Sequence, residues 1–333
     1  MSFTITVQPS GYQFSAAAET PILDSLLKSG ASISYGCRGG FCGACKGELI
    51  SGNYKYGEDP MGLSAEDKAS QKLLLCVAHP RSDMVIKAEV NPTTVMKVQG
   101  YAATISSMQR MNDEVMLLGA TLNEEKRLPY LAGQYVEFIT KDGLTRAFSI
   151  ANAPHDDREL RFHIRRIRGG KFTDTLFATM QIGDNLDIVG PHGSFYIREN
   201  SQAPIIMLAT GTGFGPIKAM VEHLIAEKST RPLYIYWGAR ARHDLYLESL
   251  AEKWDAEQPH IHFRPVLSKP DATWQGRCGH VQQAVMADFT DLSGYELYAC
   301  GHPEMVKTAV SELKQLGLAA ESCFSDAFEF APK

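Results

Sequence analysis

Short alternations of apolar and polar residues run through the first two hundred positions, then give way to longer apolar blocks. Phe3-Thr-Ile-Thr-Val7 has the period of two expected of a half-buried strand. Tyr12–Phe14, Lys46–Ser51 and Met84–Val90 read as further strands, and Pro21–Lys28 reads as a helix. These make one β-rich unit over residues 1–92 with a single helix across it. Asn91-Pro-Thr-Thr94 marks the exit, because proline cannot continue a central strand. From 97 to 198 the strands are Gly100–Ser106, Val115–Thr121, Tyr135–Thr140, Leu160–Arg165 and Asn185–Val189. Turn signals at Lys141-Asp-Gly143 and Ile182-Gly-Asp184 separate them, and regular short strands of this kind predict an antiparallel barrel. From 199 to 333 strands alternate with helices. Ile205–Ala209, Leu233–Trp237, His262–Val266 and Glu296–Ala299 are the strands; Ile217–Ala226, Tyr246–Glu257 and Pro303–Leu316 are the helices. That rhythm predicts a parallel α/β sheet.

Composition narrows the class. At 333 residues the chain has room for two or three domains, taking roughly 100–200 residues for each. With 44% hydrophobic and 21% charged residues it reads as an ordinary soluble globular protein. A formal net charge of −5 leaves no basic patch and argues against nucleic acid. The start lacks a basic n-region and an apolar h-region, and Pro204-Ile-Ile-Met-Leu-Ala209 is far too short to span a bilayer. The expectation is therefore a cytoplasmic protein with no membrane segment. An odd seven cysteines argue against a disulfide framework.

Cys37, Cys42, Cys45 and Cys76 follow the order C-x4-C-x2-C…C, the spacing that holds a plant-type [2Fe–2S] cluster. Gly36, Gly39, Gly40 and Gly43 let the loop backbone stay clear of an inorganic core while three thiolates point at it. Its N–H groups can donate to the cluster sulfurs. Structural zinc sites come as two close pairs, which this spacing does not match. Cys278, Cys300 and Cys323 are too dispersed for a second cluster. A cluster moves single electrons, so the other two thirds of the chain must supply or take them.

In the α/β region, Gly211-Thr-Gly213-Phe-Gly-Pro216 joins the first strand to its helix. Glycine there lets the backbone approach a pyrophosphate, whose charge a helix N-terminus favours. Pro216 fits the first helical turn, where its missing N–H is no loss. In the barrel region, Arg146-Ala-Phe148-Ser149 is expected just after a strand. It offers a guanidinium for phosphate, an aromatic face for a planar ring and a hydroxyl for a ring nitrogen. Gly169-Gly-Lys-Phe-Thr173 opens the next helix and offers N–H groups to a pyrophosphate. Taken alone, Arg146 reads equally as a solvated strand arginine and Phe148 as a core residue.

Together with Tyr298-Ala-Cys300-Gly301-His-Pro303, these motifs stand in the order that resembles ferredoxin–NAD(P)+-reductase-type flavoproteins fused to an N-terminal plant-type ferredoxin. The likeness runs over essentially the whole chain. Within that family, Tyr236-Trp-Gly-Ala-Arg240 and the tail Phe324-Ser-Asp-Ala-Phe328 are most similar to CDP-6-deoxy-Δ3,4-glucoseen reductases. Reductase components of aromatic-ring dioxygenases and phenol-type monooxygenases are nearly as similar. The resemblance implies a β-grasp ferredoxin domain, an antiparallel β-barrel for FAD and a parallel α/β domain for NAD(P)H. Arg146 would bind a flavin phosphate, Phe148 would stack on the isoalloxazine and Ser149 would hydrogen-bond near N5. His163, Ile164 and Arg165 would follow the ribityl and adenosine arm, with Gly170, Lys171, Phe172 and Thr173 on the pyrophosphate. Gly211, Thr212, Gly213 and Pro216 would hold the dinucleotide, and Gly238, Ala239 and Arg240 its adenosine half. Cys300 and Gly301 would sit beside the nicotinamide, and Phe328 would cover the flavin. The family usually has Tyr where this chain has Phe148, so the stacking face survives without the phenol's hydrogen bond. Cys300 also reads as a small buried apolar residue.

Arg240 and Arg242 suit the 2′-phosphate of NADPH, whereas Asp244 suits the ribose diol of NADH. The resemblance favours NADH. It implies hydride transfer from NAD(P)H to flavin and single electrons from flavin to cluster to a partner protein. That partner would be a dehydrase acting on a CDP-deoxyhexulose or, alternatively, an oxygenase component. A monomer is expected. A chain of this design that had lost catalysis would be a redox sensor. Arg38 and Phe41 are candidate partner contacts. Residues 1–90 carry nine acidic and eight basic residues, which gives no simple electrostatic steering.

Overall fold

A computed structural model describes residues 1–31, 33–36, 38–40, 43–90, 98–123, 127–140 and 143–328. The chain divides into two compact units, Met1–Lys97 and Val98–Lys333.

The first unit contains β1 (Ser2–Gln8), β2 (Tyr12–Ala17), β3 (Lys46–Ser51), β4 (Tyr54–Lys55), β5 (Lys72–Leu74), β6 (His79–Pro80) and β7 (Met84–Lys87), with α1 (Ile22–Lys28) and α2 (Ala65–Ala69). Five strands form one sheet in the order β2-β1-β7-β3-β5. Only the β1–β7 pair in that sheet is parallel. The alternation in β1 does what its period requires, since Ile5 and Val7 are fully buried while Thr4 is exposed. Helix α1 starts after Pro21 and lays Ile22, Leu23 and Leu26, all fully buried, on the sheet. Gly30, at φ 91°, ends it in a conformation that glycine reaches without strain. This is the expected β-grasp. Helix α2 and β5 were not legible, because the Ala65–Ala69 stretch carries no apolar period. A capping box starts α2, with Asp67 N–H donating to Ser64 Oγ at 3.0 Å and Ser64 N–H donating to Asp67 Oδ2 at 3.1 Å. The expected exit at 91–94 lies outside the described residues.

The second unit opens with β8 (Gln99–Arg110), β9 (Val115–Leu122), β10 (Tyr135–Ile139), β11 (Thr145–Ser149), β12 (Leu160–Arg165), α3 (Lys171–Ala178) and β13 (Asn185–His192). The strands form an antiparallel sheet in the order β11-β10-β13-β8-β9-β12. A bridge between Ile150 and Phe162 ties one edge to the other and closes the barrel. Phe138, Phe162, Ile164 and Ile188 fill its interior, and α3 adds Phe172 and Leu176 to the same core. Arg146 to Ser149, expected after a strand, lie on a strand themselves. Arg146 and Phe148 are both half-buried, so β11 carries no clean polar–apolar alternation.

The rest is β14 (Ile205–Thr210), α4 (Phe214–Ala226), β15 (Leu233–Ala239), α5 (Glu248–Glu257), β16 (Ile261–Leu267), β17 (Arg277–Cys278), α6 (Val281–Asp288), β18 (Glu296–Gly301), α7 (Pro303–Leu313) and β19 (Cys323–Ala327). All six strands are parallel, in the order β17-β16-β15-β14-β18-β19. The chain builds outward from β14 on one side and then returns to its other side at β18. The strand order therefore reverses between β14 and β18, where open α/β sheets leave a ligand crevice at their carboxyl ends.

A buried ion pair within this region anchors the segment that arrives from the barrel. Arg231 Nη2 lies 2.7 Å from Glu296 Oε2, and Tyr298 OH donates to the same oxygen at 3.0 Å. Arg231 also donates to the carbonyls of Arg198 at 3.2 Å and Ala203 at 2.8 Å, on the connecting segment. Buried charge is tolerated when paired and hydrogen-bonded in this way. Among the described residues no helix is long and apolar enough to cross a membrane.

Candidate active site

The cluster loop is built around two left-handed glycines, Gly40 at φ 86° and Gly43 at φ 75°. Gly62 N–H donates to Gly40 O at 2.8 Å and fixes the loop against the segment before α2. A Cβ on Gly40 would come within 3.2 Å of Val77 and 3.3 Å of Pro60, so the loop is packed as well as turned. Leu75 N–H donates to Cys45 O at 3.1 Å, which brings the Cys76 segment alongside Cys45. Both cysteines are buried. Lys46, next to Cys45, pairs with Asp67 at 2.7 Å, and Lys72 pairs with the same carboxylate at 3.3 Å. Burial would raise the Asp67 carboxyl, but the hydrogen bond from Lys46 and those at Ser64 outweigh it and hold the group well below the usual range. Arg38 is turned onto Asp24 at 2.9 Å. Two buried thiols beside a glycine-turned loop fit a [2Fe–2S] cluster; Cys37, Cys42 and Phe41 lie outside the described residues.

On β11, Arg146 keeps its guanidinium near its own strand, donating to Thr145 O at 2.8 Å, and has no ion pair among the described residues. Phe148 packs its ring on Phe138 at 4.8 Å and Phe172 at 5.2 Å while staying half-buried. At the start of α3, Thr173 Oγ1 donates to Ile167 O at 3.1 Å and accepts from Ile167 N–H at 3.0 Å. The N–H groups of Lys171, Phe172 and Thr173 open the helix without intrahelical acceptors, which fits a pyrophosphate. Phe172 itself is buried in the barrel core and Lys171 is exposed, so the two differ in what they can offer.

The three β12 residues part company. Ile164 is fully buried, leaving only its main chain to a ligand, and Arg165 pairs with Glu114 at 3.1 Å. His163 Nδ1 lies 2.9 Å from Tyr246 OH. Burial, and then the Lys218 ammonium, pushes its imidazole down to about 3, so it is neutral around pH 7. Lys218 donates to Ala151 O at 3.1 Å and pairs with Glu222 at 2.8 Å. These contacts join the barrel to α4 and to the segment before α5.

At the switch point the turn Gly211–Gly213 sits against the end of β18. A Cβ on Gly213 would overlap the Cys300 carbonyl oxygen and come within 2.7 Å of its carbon. Gly301, at φ 133°, is pressed on Thr210 from the other side, with Thr210 O at 2.8 Å from a would-be Cβ. His302 N–H donates to Thr210 Oγ1 at 3.1 Å. Trp237 donates from Nε1 to Gly211 O at 3.1 Å and stacks on Phe214 at 3.8 Å, so the turn rests on an aromatic floor. Pro216 is the third residue of α4 and buried. Thr212 is buried too. Gly238 has Val281 at 2.7 Å from a would-be Cβ, Ala239 O accepts Ser268 N–H at 2.9 Å, and Arg240 is exposed.

Cys300 is fully buried and stands in register with Asp326 of β19. Burial, and then the Asp326 carboxylate, pushes its thiol well above the usual range, so it stays protonated. Ser149 Oγ lies 3.5 Å from Asp326 Oδ2, at the limit of a hydrogen bond. Phe328 N–H donates to Gly301 O at 2.8 Å, and its ring packs partly buried on the α/β core. The barrel strand β11 and the sheet strands β18 and β19 thus bring Ser149, Cys300 and Asp326 to one place. Asp326 was missed from the sequence, although Phe324, Asp326 and Phe328 have the i, i+2, i+4 spacing of one strand face.

Comparison with known proteins agrees in each part. Residues 5–81 match the 2Fe-2S iron-sulfur cluster binding domain, 102–197 the oxidoreductase FAD-binding domain, and 207–311 the oxidoreductase NAD-binding domain. The CDP-6-deoxy-L-threo-D-glycero-4-hexulose-3-dehydrase reductase of Yersinia pestis is 37% identical, over 98% of this chain and 99% of that protein. The phenol hydroxylase P5 protein of Acinetobacter pittii is 33% identical, over 98% and 95% respectively. The crystal structure of the Amycolatopsis cytochrome P450 reductase GcoB superposes with a TM-score of 0.81 at 28% identity, covering 98% of both chains. The chain belongs to the ferredoxin–NAD(P)+-reductase-type iron–sulfur flavoproteins, electron-transfer oxidoreductases that carry FAD and a [2Fe–2S] cluster, take electrons from NADH and hand them to a partner protein.

Proposed function

We propose that this reductase feeds a dehydrase that acts on a CDP-deoxyhexulose, with an oxygenase component as the second reading. The likeness to the Yersinia dehydrase reductase, at 37% over nearly the full length of both chains, supports the first. The phenol hydroxylase relative, at 33%, supports the second. The modules are 1–92 for the cluster, 97–198 for the flavin and 199–333 for the nucleotide, in a monomeric cytoplasmic protein. Analytical ultracentrifugation tests the monomer, and a dimer at micromolar concentration would refute it.

The meeting of Ser149, Cys300 and Asp326 at the switch point carries the assignment of the hydride-transfer site. When bound, FAD and the cluster supply the conversion of a two-electron donor into single electrons. Arg146 holds a flavin phosphate, and the first turn of α3 from Gly170 to Thr173 holds the pyrophosphate. Phe148 offers a ring face to the isoalloxazine, and Ser149 offers its hydroxyl near N5. Gly211 to Gly213 receive the nicotinamide nucleotide, and Gly238 to Arg240 its adenosine half. Cys300, kept as a neutral thiol, and Gly301 shape the nicotinamide pocket without adding charge. Cys37, Cys42, Cys45 and Cys76 ligate the cluster.

The deciding experiment is the visible spectrum before and after anaerobic NADH. Flavin and iron–sulfur bands that bleach together support the chain of carriers, and a reconstituted protein that ignores NADH refutes it. Cys42→Ser should abolish cluster-dependent cytochrome c reduction and leave NADH-to-ferricyanide turnover largely intact; equal loss of both would separate flavin and cluster. Reduction of a purified CDP-hexulose dehydrase, but not of an oxygenase component, distinguishes the two partners.

A further inference from the structure

The adenosine end of the nucleotide site holds a charge arrangement that the family assignment does not explain. The loop after β15 carries two arginines, Arg240 and Arg242, either of which could receive a 2′-phosphate. Their surroundings differ. Arg240 has no ion pair among the described residues. Arg242 Nε lies 2.8 Å from Glu248 Oε2, and its guanidinium stands 5.8 Å over the Trp274 ring. Glu248, the first residue of α5, is largely buried on its side-chain surface, whereas Arg242 is largely exposed. Glu252 and Asp271 also act on Arg242. One cation therefore lies in the field of three carboxylates, with Glu248 at ion-pair distance. Asp244, the acceptor expected for the ribose diol, is turned back to take the Ala241 N–H at 3.1 Å.

We propose that Glu248 sets the nucleotide preference, holding Arg242 away from a 2′-phosphate and placing negative charge where that phosphate would lie. The chain then selects NADH by excluding NADPH rather than by a dedicated ribose acceptor. Glu248 acts through Arg242 and is a positioning residue. The inference rests on the assignment of Gly238 to Arg240 to the adenosine half.

The test is calorimetric titration of 5′-AMP and 2′,5′-ADP, which needs no hydride transfer, alongside kcat/KM for NADH and NADPH with ferricyanide. In the wild type 2′,5′-ADP should bind no tighter than 5′-AMP. In Glu248→Gln the ratio should shift about tenfold toward 2′,5′-ADP, the scale of one charge-assisted contact. NADPH kcat/KM should rise by a similar factor with NADH nearly unchanged. In an Arg242→Ala background, Glu248→Gln should leave most of that shift unrealised. An unchanged ratio in a folded Glu248→Gln protein overturns the proposal, as does a wild type that already prefers 2′,5′-ADP. If Arg240→Ala alters the affinity of neither ligand, the adenosine lies elsewhere, and the proposal falls with the site assignment.

Discussion

Both ends of the electron path are lined by glycine, for different reasons. In the cluster loop, Gly40 and Gly43 are needed for the sign of φ; their would-be Cβ neighbours lie at 3.1 Å or more and are mostly side-chain atoms, of Val77, Pro60 and Lys46, with Gly62 O at 3.2 Å. At the switch point Gly213 has ordinary helical angles, φ −59°, yet no room at all, because main chain from Cys300 and Gly301 faces it. A loop that must turn can trade some strain for stability. Two strand ends in contact through their backbones cannot yield without moving the sheet. The cluster cradle should therefore tolerate change better than the nucleotide cradle.

The comparison breaks most visibly at Gly213. Gly213→Ala must part β14 from β18, and overpacking of this kind costs about 3 kcal/mol. NADH-to-ferricyanide turnover should fall about 100-fold, equivalent to some 2.7 kcal/mol in the barrier; near-normal turnover would show that the strand ends can spread. Next comes Asp67→Asn, which removes the carboxylate shared by Lys46 and Lys72 and weakens the α2 cap. A loss of about 2 kcal/mol is expected, confined to the cluster unit. Thermal bleaching of the iron–sulfur bands should come earlier while ferricyanide reduction is unmoved; a shift in both would contradict the division into two units. The pH dependence has the same origin. A carboxyl held below its unfolded value stabilises above about pH 4, and that support is lost as pH falls further. Cluster bleaching should therefore accelerate below pH 4 in the wild type and lose that component in Asp67→Asn.

Gly40→Ala is smaller, about 1 kcal/mol for a left-handed alanine. It should show as a modestly faster loss of cluster absorbance, and an effect as large as that at Gly213 would erase the contrast. The least change is chemical. At pH 8 iodoacetamide should label exposed Cys278 while Cys300, buried and protonated, resists. Early loss of Cys300 would mean that the switch point opens freely.

What the sequence made legible follows from locality. Leu160–Arg165 was found at its true bounds, because one face is buried and the period of two survives; Lys46–Ser51 was found as well, although only Gly47 in it is buried. The four central parallel strands were found because burial leaves apolar runs, as in Ile205–Thr210. Strand β19 was not, since Cys-Phe-Ser-Asp-Ala has no apolar run and earns its place by pairing with β18. Helix α6 was missed because two glutamines interrupt its short apolar pattern. The cysteine spacing and glycine turns announced their chemistry because their ligands dictate local backbone. Asp326 did not, since its neighbours Ser149 and Cys300 come from distant segments that only the closed barrel and the return of β18 bring near it.

The Arg231–Glu296 pair has a consequence for how such reductases can be recombined. Its cation lies between β14 and β15 in sequence and its anion on β18, and its remaining donors reach back to the carbonyls of Arg198 and Ala203 on the connecting segment. A chimera cut between barrel and nucleotide layer keeps the ion pair on one side, but its connector must return two main-chain carbonyls to Arg231 in the same places. One cut ahead of Val98 severs none of these bonds. Ferredoxin modules should thus be exchangeable among relatives as cassettes, while the two layers that handle flavin and nucleotide are inherited as one.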